Sequence, residues 1–206
     1  MRTLIQNHNY DVNILINEKS FLIDLLETAG YKDFSILNEL FHKKKPCINS
    51  GVKLPLNQAI LRGNPFIIKT LIEFGNPHPY CTDAKGINPI HMAAAKLDTE
   101  TFETLIERGT DPLIPDADGN TWIHNLALGT ITDKEYDFIK TNILKYGLRL
   151  TRNKENRTAL NTIKSFSGQA LGQRGQPNFK RKIWDWFESK IEQDHTFIDG
   201  LEDTLI

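Results

Sequence analysis

The sequence predicts an all-α repeat protein, a solenoid of stacked helix–turn–helix units closed by helical caps at its N- and C-terminal ends. Two internal repeats and a recurring glycine stop carry that expectation. Asp83-Ala84-Lys85-Gly86-Ile87-Asn88-Pro89-Ile90-His91 is echoed by Asp116-Ala117-Asp118-Gly119-Asn120-Thr121-Trp122-Ile123-His124, so Gly86 and Gly119, like His91 and His124, stand 33 residues apart. Thr104-Leu105-Ile106-Glu107-Arg108-Gly109 repeats Thr70-Leu71-Ile72-Glu73-Phe74-Gly75, 34 residues upstream. It returns 38 residues downstream as Asn142-Ile143-Leu144-Lys145-Tyr146-Gly147. A fixed period in this range means one supersecondary unit stacked on copies of itself.

Each unit reads as turn, short helix, longer helix, stop. Asp-x-x-Gly is turn chemistry, because Asp bonds its own backbone two residues on and Gly takes a positive φ without steric cost. Pro55 and Pro89, 34 residues apart, fit the first turn of a helix, where a missing N–H costs nothing. Thr121 precedes an apolar run and can cap free backbone N–H groups. Ala93, Ala94 and Ala95 let a short inner helix approach its neighbour closely. Gly75, Gly109 and Gly147 end the longer helices. Stacking would bury Ile67, Ile68, Leu71, Ile72, Phe102, Leu105, Ile106, Phe138, Ile139, Ile143 and Leu144. Thr132–Glu135 is expected to lengthen the loop before the third outer helix.

These units resemble the ankyrin repeat, whose pattern is roughly Asp-x-x-Gly-x-Thr-Pro-Leu-His-x-Ala-Ala followed by a helix ending in Leu-Leu-x-x-Gly. The resemblance spans about residues 49–165, with repeats at about 49–82, 83–115 and 116–152 and a truncated copy at 153–165. Residues 1–48 read as a helical cap or degenerate repeat, with apolar stripes at Phe21–Leu26 and Ile36–Phe41. Residues 166–178 are a Gly-rich loop or linker, and 179–206 a C-terminal helix and acidic tail. That helix carries Trp184 and Trp186. It is expected to fold over the last repeat, and a partner-binding or membrane-surface role stands beside that reading.

Composition narrows the chemistry. Over 206 residues the net charge is -1, with 39% hydrophobic and 25% charged residues, so nothing pulls the chain globally toward nucleic acid or an anionic membrane. Neither a leader nor a stretch of about 20 apolar residues is visible, so a soluble, cytoplasmic protein is expected. Cys47 and Cys81 are too few for a disulfide framework. His42 with Cys47, or His78 with Cys81, lacks a nucleophile signature, and each reads as a plain thiol. One His per repeat puts His91 and His124 too far apart to share an ion at ~2 Å bonds. No catalytic residue, metal site or cofactor is expected.

The resemblance implies a module that binds another protein through its turn tips and the face of its inner helices. By matched position the contact residues are Ala84, Lys85 and Ile87 in one unit, and Ala117, Asp118 and Asn120 in the next. On the inner-helix side they are Ala95 and Lys96, then Leu128 and Gly129. Ser50, Gly51 and Lys53 are the upstream equivalents, extended by Leu61 and Arg62. Lys154, Glu155 and Arg157 follow less securely, because Asn156 replaces the expected Gly. Trp122 stands where the family has Pro. It is either packed against a helix or displayed as an anchor for the partner. The resulting expectation is an adaptor or scaffold. Its alternatives are the targeting domain of a larger enzyme or of a secreted bacterial effector acting in the host cytosol, and a membrane-surface protein using the Trp184 helix.

Overall fold

The computed structural model describes residues 15–16, 19–20, 22–23, 39–40, 42, 48–49, 53–126, 133–146, 152–159, 161 and 179–193. The chain divides into two compact units, Met1–Met92 and Ala93–Ile206.

The first unit opens with a feature the sequence reading lacks. Two-residue strands β1 (Leu15–Ile16) and β2 (Lys19–Ser20) pair antiparallel, Leu15 opposite Ser20 and Ile16 opposite Lys19. Of the two predicted apolar stripes, Leu22, Ile23 and Leu40 are helical and buried. The rest of both stripes lies outside the described residues.

Helices α1 (Pro55–Arg62) and α2 (Pro65–Gly75) form the first described hairpin. Each begins on a proline whose absent N–H would have had no helical acceptor. The two helices pack together around Leu56, Ala59, Ile60, Ile68, Leu71 and Ile72, all buried. The turn between them works because Gly63, at φ 66°, bonds back to the Ala59 and Ile60 carbonyls. Asn64 then caps α2, its Oδ1 accepting the Phe66 and Ile67 N–H groups at 3.1 and 3.2 Å. Gly75 is not the left-handed stop expected of it. It is the last helical residue, and Asn76 takes the left-handed conformation at φ 47°. Asparagine tolerates that region better than other non-glycine residues.

Helix α3 (Pro89–Lys96) runs across the division between units. It is followed in the second unit by α4 (Thr99–Glu107), capped by Asp98, whose Oδ1 accepts the Thr101 N–H at 3.1 Å while its Oδ2 accepts the Thr101 hydroxyl at 2.7 Å. Gly109, at φ 94°, ends α4 as predicted, and the Thr110 N–H reaches back to the Leu105 carbonyl at 3.1 Å. The short α5 (Trp122–Asn125) and the longer α6 (Asp133–Tyr146) follow. Because α6 starts at Asp133, the expected loop residues Asp133, Lys134 and Glu135 extend a helix instead, and Thr132 lies outside the described residues. Gly147 lies outside the described residues.

The core of this unit is aromatic. Phe102 from α4, Trp122 from α5 and Phe138 from α6 meet as three rings. Phe102 lies 5.1 Å from Trp122 and 5.2 Å from Phe138, and the Phe138 ring stands edge-on to both neighbours. Such pairs add about 0.5–1.5 kcal/mol each beyond area burial. Leu105, Ile139 and Ile143 are buried as expected, and Ile67 and Ile106 are half-buried. Leu144 is the exception at 51% exposure, on the outer face of α6. The final helix α7 (Phe179–Gln193) contacts α6 and buries Ile183 and Phe187.

Candidate functional site: the turn tips and inner helices

Three turns share one hydrogen-bond plan. In the turn of the first unit, Asp83 Oδ1 accepts the N–H groups of Lys85 (2.9 Å) and Ile87 (3.0 Å), the Gly86 N–H bonds the Asp83 carbonyl (2.9 Å), and the Asp83 N–H closes on the Ile87 carbonyl (3.1 Å). In the second unit Asp116 does the same for Asp118, Asn120 and Gly119 at 2.9, 2.8 and 3.0 Å, and its N–H closes on the Asn120 carbonyl at 2.8 Å. Asn153 repeats it for Glu155, Arg157 and Asn156 at 3.1, 2.9 and 2.9 Å, closing on the Arg157 carbonyl at 2.9 Å. The glycines sit at φ 71° and 78°, and Asn156 at 59°. The missing glycine, which made the last turn the weakest match in the sequence, changes nothing in its geometry.

Within the second unit, adjacent turns are bonded. The Lys154 N–H donates to the Asp118 carbonyl at 2.8 Å, and Asn153 Nδ2 to Asn120 Oδ1 at 2.7 Å. The Asn120 Nδ2 donates in turn to Asp116 Oδ2 at 3.1 Å. Both ends of the Asn120 amide are therefore engaged, Nδ2 within its own turn and Oδ1 with the next, a role the positional match to contact residues does not convey. Gly119 is pressed so closely that an added Cβ would lie 3.1 Å from Asn153 Cα. In the first unit, Asn57 Nδ2 donates to the Ile87 carbonyl at 3.0 Å, tying α1 to its turn.

His124 joins the end of one turn to the next. Its Nδ1 accepts the Thr121 N–H at 3.1 Å, with the Thr121 hydroxyl at the same distance, and its Nε2 reaches the Arg157 carbonyl at 3.3 Å. Only the neutral tautomer with the proton on Nε2 satisfies these contacts together. Burial holds its pKa below the ordinary 6.5, against a smaller opposing pull from the hydrogen bond to Arg157 and from Asp116. His91 Nδ1 likewise accepts the Asn88 N–H, at 3.1 Å. Asn88 fills the place Thr121 holds one repeat later. Its Oδ1 accepts the Ile90 N–H, and its Nδ2 donates to the Pro79 and Cys81 carbonyls at 2.8 Å each. Asn64, Asp98 and Asn88 went unread in the sequence. An Asx residue one or two places before a helical run was the available signal.

The expected contact residues divide by exposure. Lys53, Arg62, Ala84, Lys85, Lys96, Ala117 and Asp118 are exposed, and Ile87, Ala95 and Asn120 are half-buried. At the last turn Lys154, Glu155 and Arg157 are exposed, with Lys154 3.7 Å from Asp118 and Arg157 paired with Glu155. Leu61, at the end of α1, is exposed as well. Ser50, Gly51, Leu128 and Gly129 lie outside the described residues. Trp122 must be corrected: at 0% exposure it is a core residue wedged between Phe102 and Phe138, and a partner cannot reach it.

The thiol pairing also resolves. Cys81 is buried, and desolvation pushes its pKa up to about 11. Its neighbour His78 turns Nδ1 to the Tyr80 N–H instead. A thiol so protonated is a poor nucleophile. His42 is exposed and edge-on to Phe74, while Cys47 lies outside the described residues. Among the described residues no group of three or more His, Cys, Asp or Glu is placed to hold a metal ion, and no helix is long and apolar enough to cross a membrane.

Short inner helix, longer outer helix and Asx-anchored turn are the parts of an ankyrin-type repeat fold. Residues 56–106 match the family model described as ankyrin repeats (many copies). The crystal structure of EF0377, an ankyrin repeat protein, is similar over 91% of this chain and 89% of that one, with a TM-score of 0.69 and 18% identity. Residues 56–106 thus carry ankyrin repeats, and the chain shares the fold of an ankyrin repeat protein, an all-α repeat solenoid; the β1–β2 pair is too small to alter that class. No curated protein matches the sequence. Ankyrin repeats are in general protein–protein interaction modules, and the fold is typically non-catalytic.

Proposed function

We propose that this chain is a non-catalytic adaptor or scaffold in the cytoplasm. It grips another protein through its turn tips and the exposed ends of its inner helices. One observation carries the reading. In all three turns the first Asx residue satisfies the backbone from within, so the turn's backbone bonds do not draw on the outward side chains. Ala84 and Lys85, Ala117 and Asp118, and Lys154 and Glu155 are exposed in this way. A turn fixed before binding loses little entropy on docking, which favours recognition by a preorganised surface. Arg62 and Lys96, exposed at the C-terminal ends of α1 and α3, supply cations on the inner-helix side.

The test is affinity capture followed by charge reversal. Lys85→Glu with Lys96→Glu should weaken binding of the captured protein about tenfold or more, with the circular dichroism spectrum and melting temperature unchanged. A folded double variant with undiminished affinity refutes the assignment. Cell fractionation tests the location.

A further inference from the structure

We propose that His124 is a pH-sensitive latch that holds the last turn, residues 152–157, to the hairpin before it and releases it in mild acid. The geometry leaves the imidazole no room for a second proton. Nδ1 is the acceptor for the Thr121 N–H at 3.1 Å, and Thr121 is buried. A proton placed on Nδ1 would set donor against donor and orphan that N–H at the start of α5, while the turn to Thr121's hydroxyl satisfies only the added proton. The ring would have to swing. In doing so it abandons the Arg157 carbonyl, which Nε2 now reaches at 3.3 Å. That carbonyl also accepts the Asn153 N–H that closes the last turn, so the latch acts at the turn's own base.

The charged groups facing His124 among the described residues are Asp116 and Arg157. Asp116 favours the imidazolium. Its carboxylate is already engaged, Oδ1 by two backbone N–H groups and Oδ2 by Asn120, which fixes it in the turn and away from a new partner. Arg157 opposes the proton, and so does burial. Above the ordinary 6.5 the ring is neutral whether the latch is made or open, and the latch is at full strength. As the pH falls through that value the freed imidazole takes up a proton first, and binding it favours the open form. The weakening stops growing once the pH is below the latched ring's own, lower pKa.

The latch stands on these hydrogen bonds alone. Its effect on a partner would rest on the reading of the turn tips as the gripping surface, and the following test needs no partner. Amide hydrogen exchange on the full chain, corrected for intrinsic rates, should show the protection of the Lys154 and Thr121 N–H groups falling several-fold, to about tenfold, between about pH 7.5 and about pH 5.5. Protection of Leu71 and Ile72 in α2 should hold. In His124→Gln, neutral at both pH values, the local pH dependence should vanish. Should that variant not fold, the ring titration of His124 in the unaltered chain serves by nuclear magnetic resonance. A midpoint below 6.5, with Lys154 protection falling above that midpoint and levelling off below it, supports the latch. Protection of Lys154 that is flat with pH, or that still falls in the Gln variant, overturns it, as does a midpoint at or above 6.5.

Discussion

Alanine at two glycines separates backbone strain from the contact between turns. Gly63 and Gly119 both hold a left-handed φ, 66° and 78°, so a side chain at either meets the same intrinsic penalty. At Gly63 nothing lies within 4 Å of the added Cβ. Strain, partly offset by a stiffer unfolded chain, should leave Gly63→Ala about 1 kcal/mol less stable. At Gly119 the new carbon meets the Asn153 Cα at 3.1 Å and the Arg152 carbonyl oxygen at 3.6 Å. Both are backbone atoms that cannot rotate away. The turns must part, and the Lys154-to-Asp118 and Asn153-to-Asn120 hydrogen bonds stretch or break. At about 0.5–1.5 kcal/mol per bond on top of the strain, Gly119→Ala should cost about 2–4 kcal/mol. In a chain of this size that is a melting-temperature drop of roughly 4–16 °C, against roughly 2–4 °C for Gly63→Ala. Thermal unfolding followed by far-ultraviolet circular dichroism measures both. Equal drops would refute the claim that adjacent turns brace one another.

Leu105→Ala should destabilise by about 2–5 kcal/mol in a urea titration, because the side chain is buried and its removal leaves a cavity. Leu97→Gly should do the reverse, raising the melting temperature by the equivalent of about 0.5–1 kcal/mol, since Leu97 sits at φ 55° where a Cβ is crowded. Trp122→Ala should cost about 3–5 kcal/mol, and Trp122→Phe much less. The indole N–H is buried with no hydrogen-bond partner among the described residues, so the smaller ring sheds an uncompensated donor. Cys81, protonated with a pKa near 11, should resist iodoacetamide at neutral pH in the folded chain and react on unfolding, as read by intact mass.

The repeat was legible because turn chemistry and helix starts are local. Asp83, Gly86, Asp116 and Gly119 each act on residues within four positions, so a run of letters suffices to read them. Pro55 and Pro89 likewise open helices where the sequence put them. What escaped depends on distance along the chain. Nothing near Trp122 announces that Phe102 and Phe138 will enclose it, and nothing near Asn120 announces Asn153. Leu144 failed for a different reason. It stands where Ile72 and Ile106 follow a leucine at the earlier helix ends, yet it is exposed on α6 while Ile143 takes the core position. The contact surface was readable only as positions along a frame, because the physics that fixes the frame is indifferent to what its tips display.

The interchange of Asn156 for glycine has an evolutionary corollary. A motif search keyed to glycine loses track of such a copy, yet the bonds that shape it begin at Asn153, three residues earlier. A repeat can thus shed its most recognisable letter and keep its form, so drift erases the signature faster than the architecture. The pairs 84–85, 117–118 and 154–155 can then be rewritten wholesale, as a keyboard is relabelled without moving its keys.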